Sequence, residues 1–160
     1  MVAIESCLAA DFEALVAALD AEFVTKRGRT LSLAQRFPHV LSSDRLENIY
    51  VLYANDALVS SVVTRPFTWR ADEDPWRGAM IGMVYTAPEA RGQGYGSRLL
   101  DTVTQRLTAN GTEFAVLWSG LHGYYESRAW IRHDTGMFGI VNEKPRPAPP
   151  PHVASFTTLA

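Results

Sequence analysis

Between residues 80 and 100 the chain changes character three times: MIGMVYTAPEARGQGYGSRLL. An apolar, strand-like run from Met80 to Thr86 breaks at Ala87-Pro88-Glu89-Ala90. Three glycines at alternate positions follow, in Arg91-Gly92-Gln93-Gly94-Tyr95-Gly96. A helical pattern begins at Ser97. The spacing predicts a strand, a glycine-rich loop and a helix N-terminus. Such a loop aims several backbone N–H groups at one spot, where the helix dipole adds partial positive charge. The expected guest is a phosphate or pyrophosphate.

The flanking sequence extends this unit. Leu99, Leu100, Val103 and Leu107 recur at helical spacing, and Asn110-Gly111 closes the helix. Residues 114–118 form a nearly all-apolar run of the kind buried in a parallel strand pair. Strand, helix and strand over residues 80–118 have the length of a right-handed crossover. Upstream, residues 49–54 and 57–65 are apolar and β-branched around Asn55-Asp56, which reads as a hairpin whose second strand Phe67 and Trp69 would extend. Residues 70–77 form a polar loop or tip, and residues 78–86 return as the next strand.

At the N-terminal end residues 2–6 suggest a first strand. Asp11 caps an amphipathic helix over residues 11–24, with Phe12, Leu15, Val16, Leu19 and Phe23 on one stripe. Basic residues and Gly28 end it. Thr30 or Ser32 starts a shorter helix that Pro38 stops, and residues 39–48 have no clean period. Downstream, residues 124–129 read as one short helix, residues 137–141 as a strand, and residues 144–151 as an extended proline-rich connector before a strand-like tail.

At 160 residues, 47% hydrophobic and 20% charged, the chain is expected to be one domain, residues 1–160, with a sizeable core. A net charge of −2 gives no field that would draw it to nucleic acid or an anionic membrane. A lone cysteine, Cys7, excludes an internal disulfide and a multi-cysteine metal site, and no metal is expected. The sequence has neither a signal pattern nor an apolar run near the ~20 residues a spanning helix needs. The expectation is a cytoplasmic protein.

An ATPase-type phosphate loop would need a lysine that this loop lacks, and a dinucleotide fingerprint would need its third glycine one residue later. Instead, Arg91-Gly92-Gln93-Gly94-Tyr95-Gly96 resembles the R/Q-x-x-G-x-G/A signature of the GNAT superfamily of acetyl-CoA-dependent N-acetyltransferases. Ala87-Pro88-Glu89 resembles the run that precedes it. Tyr124-Tyr125-Glu126-Ser127-Arg128-Ala129-Trp130 resembles the family's F-Y-x-x-x-G-F stretch, with alanine and tryptophan in place of glycine and phenylalanine. Gln35-Arg36-Phe37-Pro38-His39, Leu117-Trp118-Ser119-Gly120 and Tyr124-Tyr125-Glu126 look closest to the acetyltransferase domain of enhanced-intracellular-survival type proteins, of which this would be a stand-alone or truncated relative.

The resemblance implies an α/β GNAT fold: a mixed, mostly antiparallel sheet with a splayed parallel strand pair and helices on both faces. It implies acetyl-CoA as cosubstrate. The backbone of Val84, Tyr85 and Thr86 would pair with pantetheine, the N–H groups of Gly92, Gln93, Gly94, Tyr95, Gly96 and Ser97 would hold the pyrophosphate, and Arg91 would add charge. Ser119 stands either as a pantetheine partner or as a helix cap. Tyr125 matches the proton donor to the leaving thiolate. The partners implied are acetyl-CoA and a primary amine, a small molecule ahead of a protein, and a homodimer is compatible with it. The rivals are a non-catalytic acyl-CoA-binding module and transfer to a protein N-terminus or lysine.

The general base cannot be read. His39, His122, Glu126 and ordered water all qualify by chemistry alone. The acceptor site is expected between the first two helices and the tip at residues 70–77. There Asp72-Glu73-Asp74 is either an amine attractant or a solvated tip, and Trp69 and Trp76 either line a pocket or pack.

Overall fold

A two-residue turn fixes the first register. Asn55 and Asp56 both lie in the left-handed region (φ 50° and 63°), as a primed hairpin turn requires. The turn joins β2 (Ile49–Ala54) to β3 (Ala57–Trp69). The computed structural model describes residues 1–70, 75–133 and the backbone of 137–141. The expected acidic tip at residues 72–74 and the proline-rich connector and tail lie outside the described residues.

The other strands are β1 (Val2–Ser6), β4 (Trp76–Thr86), β5 (Phe114–Trp118), β6 (Ile131–Arg132) and β7 (Met137–Val141). They form one sheet in the order β1-β2-β3-β4-β5-β7-β6. Every neighbouring pair is antiparallel except β4–β5. This is the expected mixed sheet with one parallel pair. β3 runs through Pro66 to Trp69, beyond residue 65. The proline is tolerated because β2 ends its pairing with β3 at Val63, so that half of β3 has only β4 as neighbour.

The helices are α1 (Phe12–Phe23), α2 (Leu33–Arg36), α3 (Tyr95–Ala109) and α4 (His122–Glu126). Alternation along β2 puts Tyr50 and Tyr53 on opposite faces. The Tyr50 ring meets the guanidinium of Arg106 on α3 at 5.6 Å. The Tyr53 hydroxyl donates to Asp11, just before α1, at 2.6 Å. Helices therefore cover both faces. Residues 59–64 of β3 are all buried, including Ser60, Ser61 and Thr64. Leu15 and Leu19 of α1 and Leu99, Leu100 and Val103 of α3 are at most 1% exposed, so both amphipathic stripes close on the sheet. Cys7 is also buried, and burial ahead of the nearby Asp11 carboxylate pushes its thiol up to about 11.

Gly78 is where three strands crowd together. It sits opposite Phe67 on β3 and Phe114 on β5, and a Cβ there would lie 2.5 Å from the Phe67 ring and 2.7 Å from the Phe114 ring. The two rings already meet edge to face at 5.4 Å. Gly78→Ala is expected to cost about 1–3 kcal/mol of stability through overpacking. Urea denaturation checks it, and an unchanged midpoint would show that the rings swing aside freely.

Candidate active site

The parallel pair β4–β5 is short. Gly78, Ala79 and Met80 pair with Phe114, Ala115 and Val116, and there the ladder stops. Beyond it β4 stays with β3 through Thr86, while Leu117 and Trp118 of β5 stay with β7. The two strands part, and Val84, Tyr85 and Thr86 lie on the diverging part of β4. A bulge accompanies the parting. Ser61 pairs with Tyr85 but Val63 pairs with Gly82, which leaves an extra residue on β4. Met83 takes it up at φ 49°, a conformation that costs a non-glycine residue roughly 1–2 kcal/mol.

Side chains already hold part of this backbone. The Ser60 hydroxyl donates to the Tyr85 carbonyl at 2.6 Å, and Arg91 Nε donates to the Thr86 carbonyl at 3.0 Å. Ser60 Oγ and Thr86 Oγ1 are 3.1 Å apart. Sequence reasoning passed over Ser60. The one available signal was a polar pair, Ser60-Ser61, inside an otherwise apolar run.

The loop then turns through Gly92 (φ 77°) and Gly94 (φ 79°), and a Cβ on either would meet nothing within 4 Å. Gly94 is the N-cap of α3, with no side-chain cap. The first N–H groups of a 15-residue helix therefore face the loop's open side. Gly96 is needed for another reason: a Cβ there would sit 2.7 Å from Thr86 Oγ1. The helix starts at Tyr95, two residues before the expected Ser97, because Gly94 reverses the chain early. Gln93 is exposed on the loop, with Nε2 3.4 Å from the Glu89 carbonyl.

Arg91 is not a free cation. Its Nη2 lies 3.0 Å from Glu22 Oε2, and Lys26 Nζ is 2.6 Å from the same oxygen. Hydrogen bonding from Lys26, helped by the bond and charge of Arg91, holds the Glu22 carboxyl below the usual range against the opposing effect of burial. The loop is thereby tied to α1, a link that no local sequence pattern could have signalled.

α4 follows the end of β5. It runs from His122 to Glu126 rather than over residues 124–129. Tyr125 is 4% exposed, and its ring meets those of Tyr124 (5.0 Å) and Trp130 (6.2 Å) edge to face. Ser119 accepts the Leu121 N–H at 3.0 Å and hydrogen-bonds the Tyr125 hydroxyl. Burial, and then the neighbouring Tyr124, push the Tyr125 phenol up to about 12, with the Ser119 bond pulling the other way. Tyr124 turns toward α3, its hydroxyl 3.5 Å from Ser97 Oγ. The Arg128 guanidinium lies over the Tyr124 ring at 4.4 Å and 3.8 Å from Asp101 of α3.

Ala129 stands where the resembled motif has glycine, and its φ is 61°. Ala129→Gly is expected to stabilise the fold by about 0.5–1 kcal/mol, relief of left-handed strain outweighing added chain entropy. Thermal unfolding tests this, and a lower midpoint would refute it. Among the base candidates, His122 lies one turn before Tyr125 on α4. Glu126 is exposed and pairs with Arg132 at 3.7 Å. His39 is exposed in the stretch between α2 and β2.

The geometry matches known proteins at the level of fold and family. A model of the acetyltransferase (GNAT) domain matches residues 4–132. No curated protein matches the sequence. Among solved structures, a conserved Enterococcus faecalis protein described as a probable N-acyltransferase superposes with a TM-score of 0.67 at 17% identity, covering 81% of this chain and 32% of that one. A GCN5-related N-acetyltransferase from Kribbella flavida gives 0.66 at 18%, covering 81% and 33%. N-acetylglutamate synthase from Neisseria gonorrhoeae, solved with coenzyme A and N-acetyl-glutamate, gives 0.65 at 14%, covering 88% and 35%. The chain spans about a third of the length of each of these. Among the described residues no helix is long and apolar enough to cross a membrane.

Proposed function

Because the chain belongs to the GNAT acetyltransferase family, we propose that it transfers an acetyl group from acetyl-CoA to a primary amine. The observation that carries this reading is the three-pair β4–β5 ladder, which opens toward two left-handed glycines and the uncapped start of α3. A parted strand pair offers an edge to an amide-bearing arm. Glycines with open space beside them let a pyrophosphate approach the backbone. The residues thus fit the donor. The backbone of Val84, Tyr85 and Thr86 would border the pantetheine arm, with Ser119 near it. The segment from Gly92 to Ser97 would supply N–H groups. Arg91, held by Glu22, would fix the loop more than neutralise phosphate.

In the chemical step the amine nitrogen bonds to the acetyl carbonyl carbon and the carbon–sulfur bond breaks. Tyr125 gives its phenolic proton to the departing thiolate, and the amine loses a proton to a base or to water. Ser119, oriented by the Leu121 N–H, donates toward the Tyr125 oxygen as it becomes negative. The small-molecule amine is favoured over a protein acceptor by a cavity between α1 and α2 described below.

Titration calorimetry tests the donor half, and thiol release with a panel of amines tests the transfer. No heat with millimolar acetyl-CoA would sink the proposal. Binding without release for any amine would leave a non-catalytic acyl-CoA module.

A further inference from the structure

Resting on the acetyltransfer reading, we infer that the acceptor amine also carries a carboxylate, held by Arg29 and Arg36 at a cavity between α1 and α2. The cavity is about 300 Å³, at the lower end of the usual range for small-molecule sites. Val24 and Leu33 are its buried floor, Phe23 and Leu31 its apolar walls, and Arg29 and Arg36 stand at its rim.

The cavity is built by the end of α1. Gly28 adopts φ 67°, its N–H donates to the Thr25 carbonyl at 3.0 Å, and the Arg29 N–H donates to the Val24 carbonyl at 3.0 Å. This pair of bonds is a Schellman closure, which turns the chain back sharply and fixes where Arg29 leaves it. The far wall is clamped as well. Asp20 on α1 accepts the Leu33 N–H at 2.7 Å, and Ser32 accepts the Ala34 N–H, so α2 starts from two fixed points. Arg36 lies over the Phe37 ring at 5.4 Å, which limits its wandering.

Charge then selects the guest. The lining holds two guanidinium groups and no acid. The nearby acids on α1 are engaged elsewhere, Asp20 with Leu33 and Glu22 with Lys26 and Arg91. Among the described residues neither Arg29 nor Arg36 is in an ion pair. Two forked cations over an apolar floor fit a carboxylate joined to an apolar body. The cavity and the donor loop share α1 as a support: Phe23 lines the cavity, and the preceding Glu22 meets Arg91.

The test uses matched probes, L-phenylalanine and 2-phenylethylamine, which differ by the carboxylate. Binding is measured by calorimetry on the full chain with CoA present, and turnover by thiol release. The wild type should bind L-phenylalanine about 10–100-fold more tightly than 2-phenylethylamine, the worth of one charge-assisted contact. The double variant Arg29→Gln/Arg36→Gln should erase the difference, Arg29→Lys/Arg36→Lys should keep part of it, and circular dichroism should match throughout. Equal binding of the two probes by the wild type would overturn the inference. So would a double variant that weakens CoA but not dephospho-CoA, because the arginines would then serve the donor's phosphate. Acetyl-CoA binding is the control that separates the two levels. If it is intact while the probes behave alike, only the carboxylate site falls. If it is absent, the acetyltransfer reading falls first.

Discussion

Tyr125→Phe should lower kcat by about 10²–10⁴-fold, the range for loss of a positioned acid, while acetyl-CoA binds as before. The ring is buried against Tyr124 and Trp130, and phenylalanine keeps both contacts, so the fold should survive. The pH dependence sharpens the test. Burial raises the phenol to about 12, so Tyr125 keeps its proton across the working range. The wild-type rate should rise with pH as the amine deprotonates and show no fall due to Tyr125 up to about pH 10. A decline near pH 9 that vanishes in Tyr125→Phe would contradict this. The same shift bears on stability. The fold favours the neutral phenol, so this contribution is complete below the unfolded value near 10 and is lost as pH climbs through about 12. On the proposed reading, so weak an acid facing a thiolate of reference pKa ~8.5 would draw on the Ser119 bond as its oxygen gains charge.

Gly94→Val should weaken acetyl-CoA binding by about 10²–10⁴-fold. Gly94 sits at φ 79° and ψ 1° as the N-cap of α3, where a β-branched residue is strained whatever the space. The backbone would have to leave the left-handed region, and the N–H groups around it would no longer converge. Losing two charge-assisted hydrogen bonds, each ~1.5–3 kcal/mol, accounts for the range. Calorimetry with acetyl-CoA checks it. A dissociation constant within threefold of wild type would mean that the loop is not where the donor's phosphates lie. The loop is exposed, so the melting temperature should change much less than the affinity.

What could be read from residues was periodic or conformationally strict. The glycine loop, the Asn55-Asp56 turn and the α1 and α3 stripes announced themselves because few conformations suit such residues or spacings. The parallel partnership of β5 followed from its two-sided apolarity. What could not be read depends on pairing between distant side chains. Glu22 and Arg91 are far apart in sequence, and nothing in either neighbourhood names the other. The early start of α4 was hidden because His122-Gly123 reads locally as a turn. The burial that raises the Tyr125 phenol to about 12 is likewise absent from the local sequence. The basic cavity at α1–α2 was invisible because Arg29 and Arg36 look like ordinary helix-end cations until the chain folds back between them.

The short β4–β5 ladder makes the sheet two leaves, β1–β4 and β5-β7-β6, joined along three residue pairs. Beside that ladder the leaves are tied by the Phe67–Phe114 ring contact and the Arg77–Glu113 hydrogen bonds, and the Arg128–Asp101 and Tyr124–Ser97 contacts fasten α4 and the residues after it to α3. A molecule lodged between the leaves would serve as a missing rung. Its departure would return the protein to a hinged state, so product release and the looseness of the seam become one property, set by how few rungs the polypeptide itself provides.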